Sequence, residues 1–150
     1  MPHTRIKVVS DACCHIPNAN IAGRVTRGHS AYGFLIVDEL DQVVSEHGGY
    51  LGEMTPPQAE YNGLIAALDE AAKVCRGNVE VWMDSEFIIR QMNGDYGIKS
   101  DNMKPLYDQV KVLERRFVKG VVKYFHHPET APLARRAHQL ADIEYRKHRP

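Results

Sequence analysis

The chain has no surplus of charge: Lys and Arg together number 19 and Asp and Glu 19, so the formal net charge is zero. A strongly basic chain advertises polyanion binding through its overall field. This one has no such field, so any nucleic acid must be met by a local patch. Cysteine is scarce as well. Cys13, Cys14 and Cys75 are odd in number and two are adjacent. That spacing suits neither a disulfide framework nor a zinc ribbon and points to a reducing interior. Long apolar runs are missing. No stretch reaches the length that spans a bilayer, and Met1-Pro-His-Thr-Arg-Ile-Lys7 holds no apolar leader core. The expectation is a cytoplasmic protein with no membrane partner and no obligate protein partner. Repeats, low-complexity tracts and linkers are absent too. A chain of 150 residues with 43% hydrophobic and 25% charged composition predicts a single domain over 1–150 with a real core.

What the sequence does hold is a change of hydrophobic period. Residues 5–10 are β-rich, 12–30 read as a loop broken by Pro17, Asn18, Asn20, Gly23 and Gly28, and 31–37 and 42–51 read as two more strands. Turn-separated strands of this kind predict an antiparallel meander. Thr55-Pro-Pro-Gln58 then has the capping-box form, with prolines where a first helical turn tolerates them. Tyr61, Leu64, Ile65, Leu68 and Ala72 follow as one helical stripe. Val79 to Met83 is a strand, and Ser85 can cap a short helix. Leu106, Val110, Leu113 and Phe117 stripe another helix, Val121 to Phe125 is a fifth strand, and Thr130 caps a last helix. Strand-rich first and alternating afterwards, the order βββ-α-β-α-α-β-α predicts an α/β fold: a five-stranded mixed sheet flanked by helices.

Three carboxylates stand out against this frame. Asp11 closes Ile6-Lys-Val-Val-Ser, Glu60 lies early in the first helix, and Asp84 closes Val79-Glu-Val-Trp-Met. A lone strand-end acid is usually just solvated, and a first-turn acid is favoured by the helix dipole. Three acids delivered from separate elements to one end of a sheet instead make an oxygen cage for a divalent cation, the kind that metal-assisted attack on a phosphodiester needs.

Over nearly its whole length the chain resembles the ribonuclease H type 1 family. Val9-Ser-Asp11-Ala-Cys-Cys resembles that family's first strand, and Thr55-Pro-Pro-Gln-Ala-Glu60-Tyr-Asn-Gly-Leu resembles its first helix. Val81-Trp-Met-Asp84-Ser85, with Gln91-Met-Asn93-Gly-Asp-Tyr and Lys104-Pro-Leu-Tyr107, resembles its fourth strand and the segment after that strand, in the manner of compact archaeal and bacterial members. The resemblance implies a ribonuclease H-like fold and a Mg²⁺- or Mn²⁺-dependent endonuclease acting on the RNA strand of an RNA/DNA hybrid. Asp11, Glu60 and Asp84 fall on its first three catalytic, metal-binding carboxylates.

It also implies further roles. A fourth Asp is expected early in the last helix, in a pattern like Asn-x-x-Ala-Asp. Aligned through Ala131-Pro-Leu-Ala134, that place holds Arg135, while Asp142 lies about 10 Å further along the axis. The mobile His expected before the last helix, thought to aid product release, falls on His126 or His127. Asn18, Asn20, Thr55 and Ser85 are the expected nucleic-acid contacts, although Pro56 and Pro57 stand where the family has paired Asn. Basic runs at Lys111, Arg115, Arg116 and Lys119 and at Arg146, Lys147, His148 and Arg149 are either solvated faces or phosphate contacts. Two alternatives remain open: a ribonuclease H-like module, catalytically weakened or inactive, that only binds nucleic acid, and a nuclease acting on DNA.

Overall fold

A computed structural model describes residues 3–17, 27–95, 97, 101–128 and 131–149. Strands β1 (His3–His15), β2 (Gly28–Val37) and β3 (Val43–Met54) come first. Helix α1 (Pro56–Ala71), strand β4 (Cys75–Met83), helices α2 (Glu86–Met92) and α3 (Lys104–Glu114), strand β5 (Val122–His126) and helix α4 (Pro132–His148) come after them. The sheet runs β3-β2-β1-β4-β5. The first three strands pair antiparallel, whereas β1 with β4 and β4 with β5 are parallel. This is the mixed sheet that the change of hydrophobic period predicts.

Because β1 is central, its alternation feeds two layers. Ile6 and Val8 join Phe34, Ile36, Val79, Val81 and Met83 against Tyr61, Leu64, Ala67 and Leu68 of α1. Val9 and Leu35 point the other way, onto Ala137 of α4, with Trp82, Leu133 and Leu140 packed around them. The start of α1 is set locally. Thr55 Oγ1 accepts from the Gln58 N–H at 3.3 Å, and Gln58 Oε1 accepts from the Thr55 N–H at 2.9 Å. Pro56 and Pro57 occupy positions whose N–H groups have no helical partner to lose.

Several boundaries differ from the sequence expectation. Strand β1 runs five residues past Ser10, because His15 still pairs with His29 of β2 after β4 has left its other side. Strand β4 begins at Cys75 rather than Val79, drawn in by pairing of Cys75 with His3. Helix α3 stops at Glu114, short of Phe117. The N-cap of α4 is Ala131, which makes no side-chain cap; Thr130 lies outside the described residues. Among the described residues, no helix is long and apolar enough to cross a membrane.

Candidate active site

The ladder between β1 and β4 ends at the pair Ser10–Met83. The next residues along the two chains are Asp11 and Asp84, which therefore stand side by side where the parallel strands part. A crevice at the carboxyl ends of parallel strands is the usual place for a ligand in such sheets. Glu60 arrives from α1, in its second turn rather than its first. Its approach depends on Gly63, one turn later. A Cβ at Gly63 would stand 3.0 Å from Tyr32 Cβ and 3.5 Å from Ser10 Oγ, so the bare backbone lets α1 lie close on the strand ends. One carboxylate oxygen from each of Asp11, Glu60 and Asp84 falls within 4.8 Å of the others.

This crowding is electrostatically costly. Burial, followed by the neighbouring Asp84 charge, pushes the Asp11 carboxyl up to about 6. Burial, followed by the charges of Asp11 and Asp84, holds Glu60 well above the ordinary carboxylate range. His138, ahead of the Ala12 backbone N–H, eases Asp11 only in part, and the same N–H eases Glu60 only in part. Glu60 as a residue is half-buried, yet its Oε2 is buried without any hydrogen-bond partner. Three crowded acids, one with a buried oxygen that has no donor, fit a divalent cation, whose charge relieves the repulsion and whose coordination fills the orphan oxygen. Asp11, Glu60 and Asp84 are the residues that would hold it.

The side chain of α4 that meets this cluster is His138. Its Nδ1 lies 2.9 Å from Asp11 Oδ2. The expected fourth-position residues are placed differently. Arg135 is exposed one turn earlier on α4, and Asp142 pairs with Arg146 at 2.9 Å. The small-residue spacing allows two registers. It occurs at Ala131-x-x-Ala134-Arg135 and recurs three residues later at Ala134-x-x-Ala137-His138. Only the second register puts a side chain on Asp11, because Ala134, Ala137 and Ala141 are the buried face of α4. The seat is Gly33, the β2 partner of Asp11 in the ladder. A Cβ there would stand 2.2 Å from Ala137 O and 2.7 Å from Ala141 N, so the helix backbone rests directly on the strand beside Asp11.

The two loop histidines divide. His126 is the exposed last residue of β5, and its Nε2 lies 3.1 Å from Asp84 O, at the rim of the cluster. His127 is buried, with its ring 6.4 Å from that of Trp82 and its Nε2 unpartnered. Thr55 and Ser85 both spend their hydroxyls on helix caps, Ser85 Oγ accepting from the Ile88 N–H at 3.5 Å. Asn18 and Asn20 lie outside the described residues. In the basic runs, Lys111, Arg116, Arg146 and Lys147 are each ion-paired with a neighbouring acid.

Comparisons with known proteins place the family and the fold. The model of the reverse transcriptase-like family matches residues 20–142. A bifunctional protein of Mycobacterium tuberculosis is 33% identical over 100 residues, 66% of this chain and 28% of that protein. The chain thus spans under a third of the length of this curated relative. Ribonuclease H1 of the halophilic archaeon Halobacterium salinarum superposes with a TM-score of 0.81 at 25% identity, covering 96% of this chain and 99% of that one. A ribonuclease H1 isolated from compost, solved in complex with an RNA/DNA hybrid, superposes with a TM-score of 0.79 at 28% identity, covering 95% and 97%. Matched by the family over most of its length and by type 1 ribonuclease H structures over nearly all of it, the chain belongs to the reverse transcriptase-like family and has the ribonuclease H type 1 fold.

Proposed function

We propose that the chain is a metal-dependent endonuclease that hydrolyses the RNA strand of RNA/DNA hybrids, leaving 5′-phosphate and 3′-hydroxyl ends. One observation carries the proposal: Asp11, Glu60 and Asp84 converge within 4.8 Å from three separate elements, on a fold shared with ribonuclease H1 structures. The cofactor is Mg²⁺ or Mn²⁺. When bound, the cation supplies a water of lowered pKa and positive charge to set against the phosphodiester.

The chain's own residues do the rest. Asp11 and Asp84 fix the place of the reaction because the strand ladder ends beside them. Glu60 contributes an oxygen already stripped of water, so little solvent must leave it on ligation. Its helix is anchored by the Thr55 cap, which keeps the third carboxylate in register with the strands. His126, exposed beside Asp84 at the rim of the cluster, is the histidine assigned the part in product release. Discrimination of RNA from DNA rests on the 2′-hydroxyl, read across a minor groove by shape rather than sequence.

A second reading has a specific observation in its favour. An imidazole, not a carboxylate, meets Asp11 from α4, which fits a module that grips hybrid and cuts weakly or not at all. Labelled hybrid, DNA duplex and RNA duplex incubated with the chain, with Mg²⁺, with Mn²⁺ and with chelator, separate the readings. An endonuclease of this kind should consume the RNA strand of the hybrid alone, and only with a cation. Hybrid binding without cleavage under every condition supports the second reading, and equal cutting of the DNA duplex contradicts both.

A further inference from the structure

We propose that His138 is the fourth ligand of the cation site, binding through Nδ1, and that the resulting three-oxygen, one-nitrogen site selects Mn²⁺ over Mg²⁺. The inference rests on the reading of Asp11, Glu60 and Asp84 as the cation's other ligands.

Two observations place His138 at the cluster, and a third points to a cation there. First, its Nδ1 stands 2.9 Å from Asp11 Oδ2. Metal–ligand bonds of 2.0–2.1 Å set adjacent octahedral ligands about 3 Å apart. The two atoms already have the separation of neighbours around one ion, while the group converging within 4.8 Å is Asp11, Glu60 and Asp84, so the imidazole must close on Glu60 and Asp84 as the cation binds. Second, the placement is built into the sheet. Gly33 pairs with Asp11, and its missing side chain lets the α4 backbone at Ala137 rest on β2. The residue after Ala137 is thereby delivered to Asp11. Third, the cluster holds an unsatisfied group independent of His138: Glu60 Oε2 is buried and has no partner. A hydrogen bond between His138 and Asp11 explains only that pair. A shared cation explains the pair and the orphan oxygen together.

The chemistry of the donor set gives the selectivity. Relative to a fourth carboxylate, neutral imidazole removes one negative charge and replaces a hard oxygen with a borderline nitrogen. Mg²⁺ is held chiefly through charge and oxygen ligands and parts reluctantly with its water, so it loses most by the exchange. Mn²⁺ accepts both donor types, and imidazole nitrogen binds transition ions well. The other candidates on α4 do not compete. Asp142 is engaged with Arg146, and the Arg135 guanidinium has no lone pair to offer a cation.

Calorimetric titration of the metal-free chain with Mn²⁺ and with Mg²⁺, joined to pulsed electron paramagnetic resonance of the Mn²⁺ complex, tests this without reference to cleavage. The wild type should bind Mn²⁺ at least about tenfold more tightly than Mg²⁺ and show a nitrogen coupling that changes when histidine is labelled with ¹⁵N. His138→Gln should abolish the coupling and weaken Mn²⁺ by about tenfold. His138→Asp should abolish the coupling yet strengthen Mg²⁺, collapsing the preference. Position 138 is exposed on a helix, and an unchanged circular dichroism spectrum verifies that these variants fold. A coupling that survives His138→Gln but vanishes in His126→Gln overturns the assignment. Mn²⁺ binding that needs Asp11 but shows no nitrogen coupling overturns the inference and leaves the carboxylate site standing. If neither cation binds the wild type, the site reading fails and the inference with it.

Discussion

Asp11 and Glu60 carry carboxyls raised first by burial and then by neighbouring acids, Asp84 beside Asp11 and both Asp11 and Asp84 beside Glu60, and this bears on stability. A carboxyl whose folded pKa lies above its unfolded value stabilises the fold below the unfolded value, and the contribution disappears as pH rises through the folded one. For Asp11 that window runs from the ordinary 3.8 to about 6, worth roughly 3 kcal/mol at 1.36 kcal/mol per unit. Glu60 acts in the same direction. In chelator, the chain should therefore melt at a higher temperature at pH 4.5 than at pH 7.5, provided other groups are controlled by comparison with Asp11→Asn. That variant should flatten the pH dependence and raise the melting temperature at pH 7.5. Saturating Mn²⁺ should restore the wild type at pH 7.5, because it binds the folded form alone. A wild-type melting temperature that rises steadily from pH 4.5 to 7.5 in chelator, with Asp11→Asn rising in parallel, contradicts this view of the cluster. The three acids were legible in the sequence because each follows a strong local signature, a β-rich run before Asp11 and before Asp84 and the capping box before Glu60. His138 was not legible. Its role depends on which face of α4 lies on Gly33, and an Ala-x-x-Ala spacing that recurs in two registers cannot decide that.

The same division between local and tertiary information governs the elements. The start of α1 could be read to the residue because a capping box is complete within four residues. The far end of β1 could not, because Ala12-Cys-Cys-His15 is held as strand by β2 alone, beyond the point where β4 departs. The sheet's ladder thus overrode a weak local propensity. Helix α4 makes the strongest prediction at this scale. Gly33→Ala places a methyl 2.2 Å from Ala137 O, which is backbone and cannot swing aside. The helix must lift, at about 1–3 kcal/mol, and His138 should withdraw from Asp11. Denaturant midpoints should fall accordingly, and Mn²⁺ affinity should fall with them while the circular dichroism spectrum holds. Full stability in Gly33→Ala would mean that α4 does not rest on β2 as described. A milder control is Thr55→Ala, which removes the α1 cap and should cost about 1 kcal/mol with little effect on the β1–α4 contact.

At the scale of the whole molecule, the balance of 19 basic and 19 acidic residues is reflected in surface pairing. Arg136 pairs with Glu46 at 2.6 Å, Arg116 with Asp69 at 2.7 Å and Arg146 with Asp142 at 2.9 Å. Cations already matched to acids release few counterions on meeting phosphates. Hybrid affinity should therefore weaken only gently with salt, with a slope of log affinity against log salt of about 3 or less in magnitude. Fluorescence anisotropy with a catalytically silent variant in chelator measures it; a slope near that of a strongly basic binder would show a phosphate-binding surface that the pairing conceals. The central claim is tested most directly by single-turnover cleavage of a hybrid labelled on both strands, comparing wild type with Asp11→Asn in Mn²⁺. The wild type should cut the RNA strand alone. Asp11→Asn, folded and still binding hybrid, should be slower by about a thousandfold, the equivalent of several kcal/mol of lost charge stabilisation. Cleavage by Asp11→Asn at close to the wild-type rate would contradict the claim.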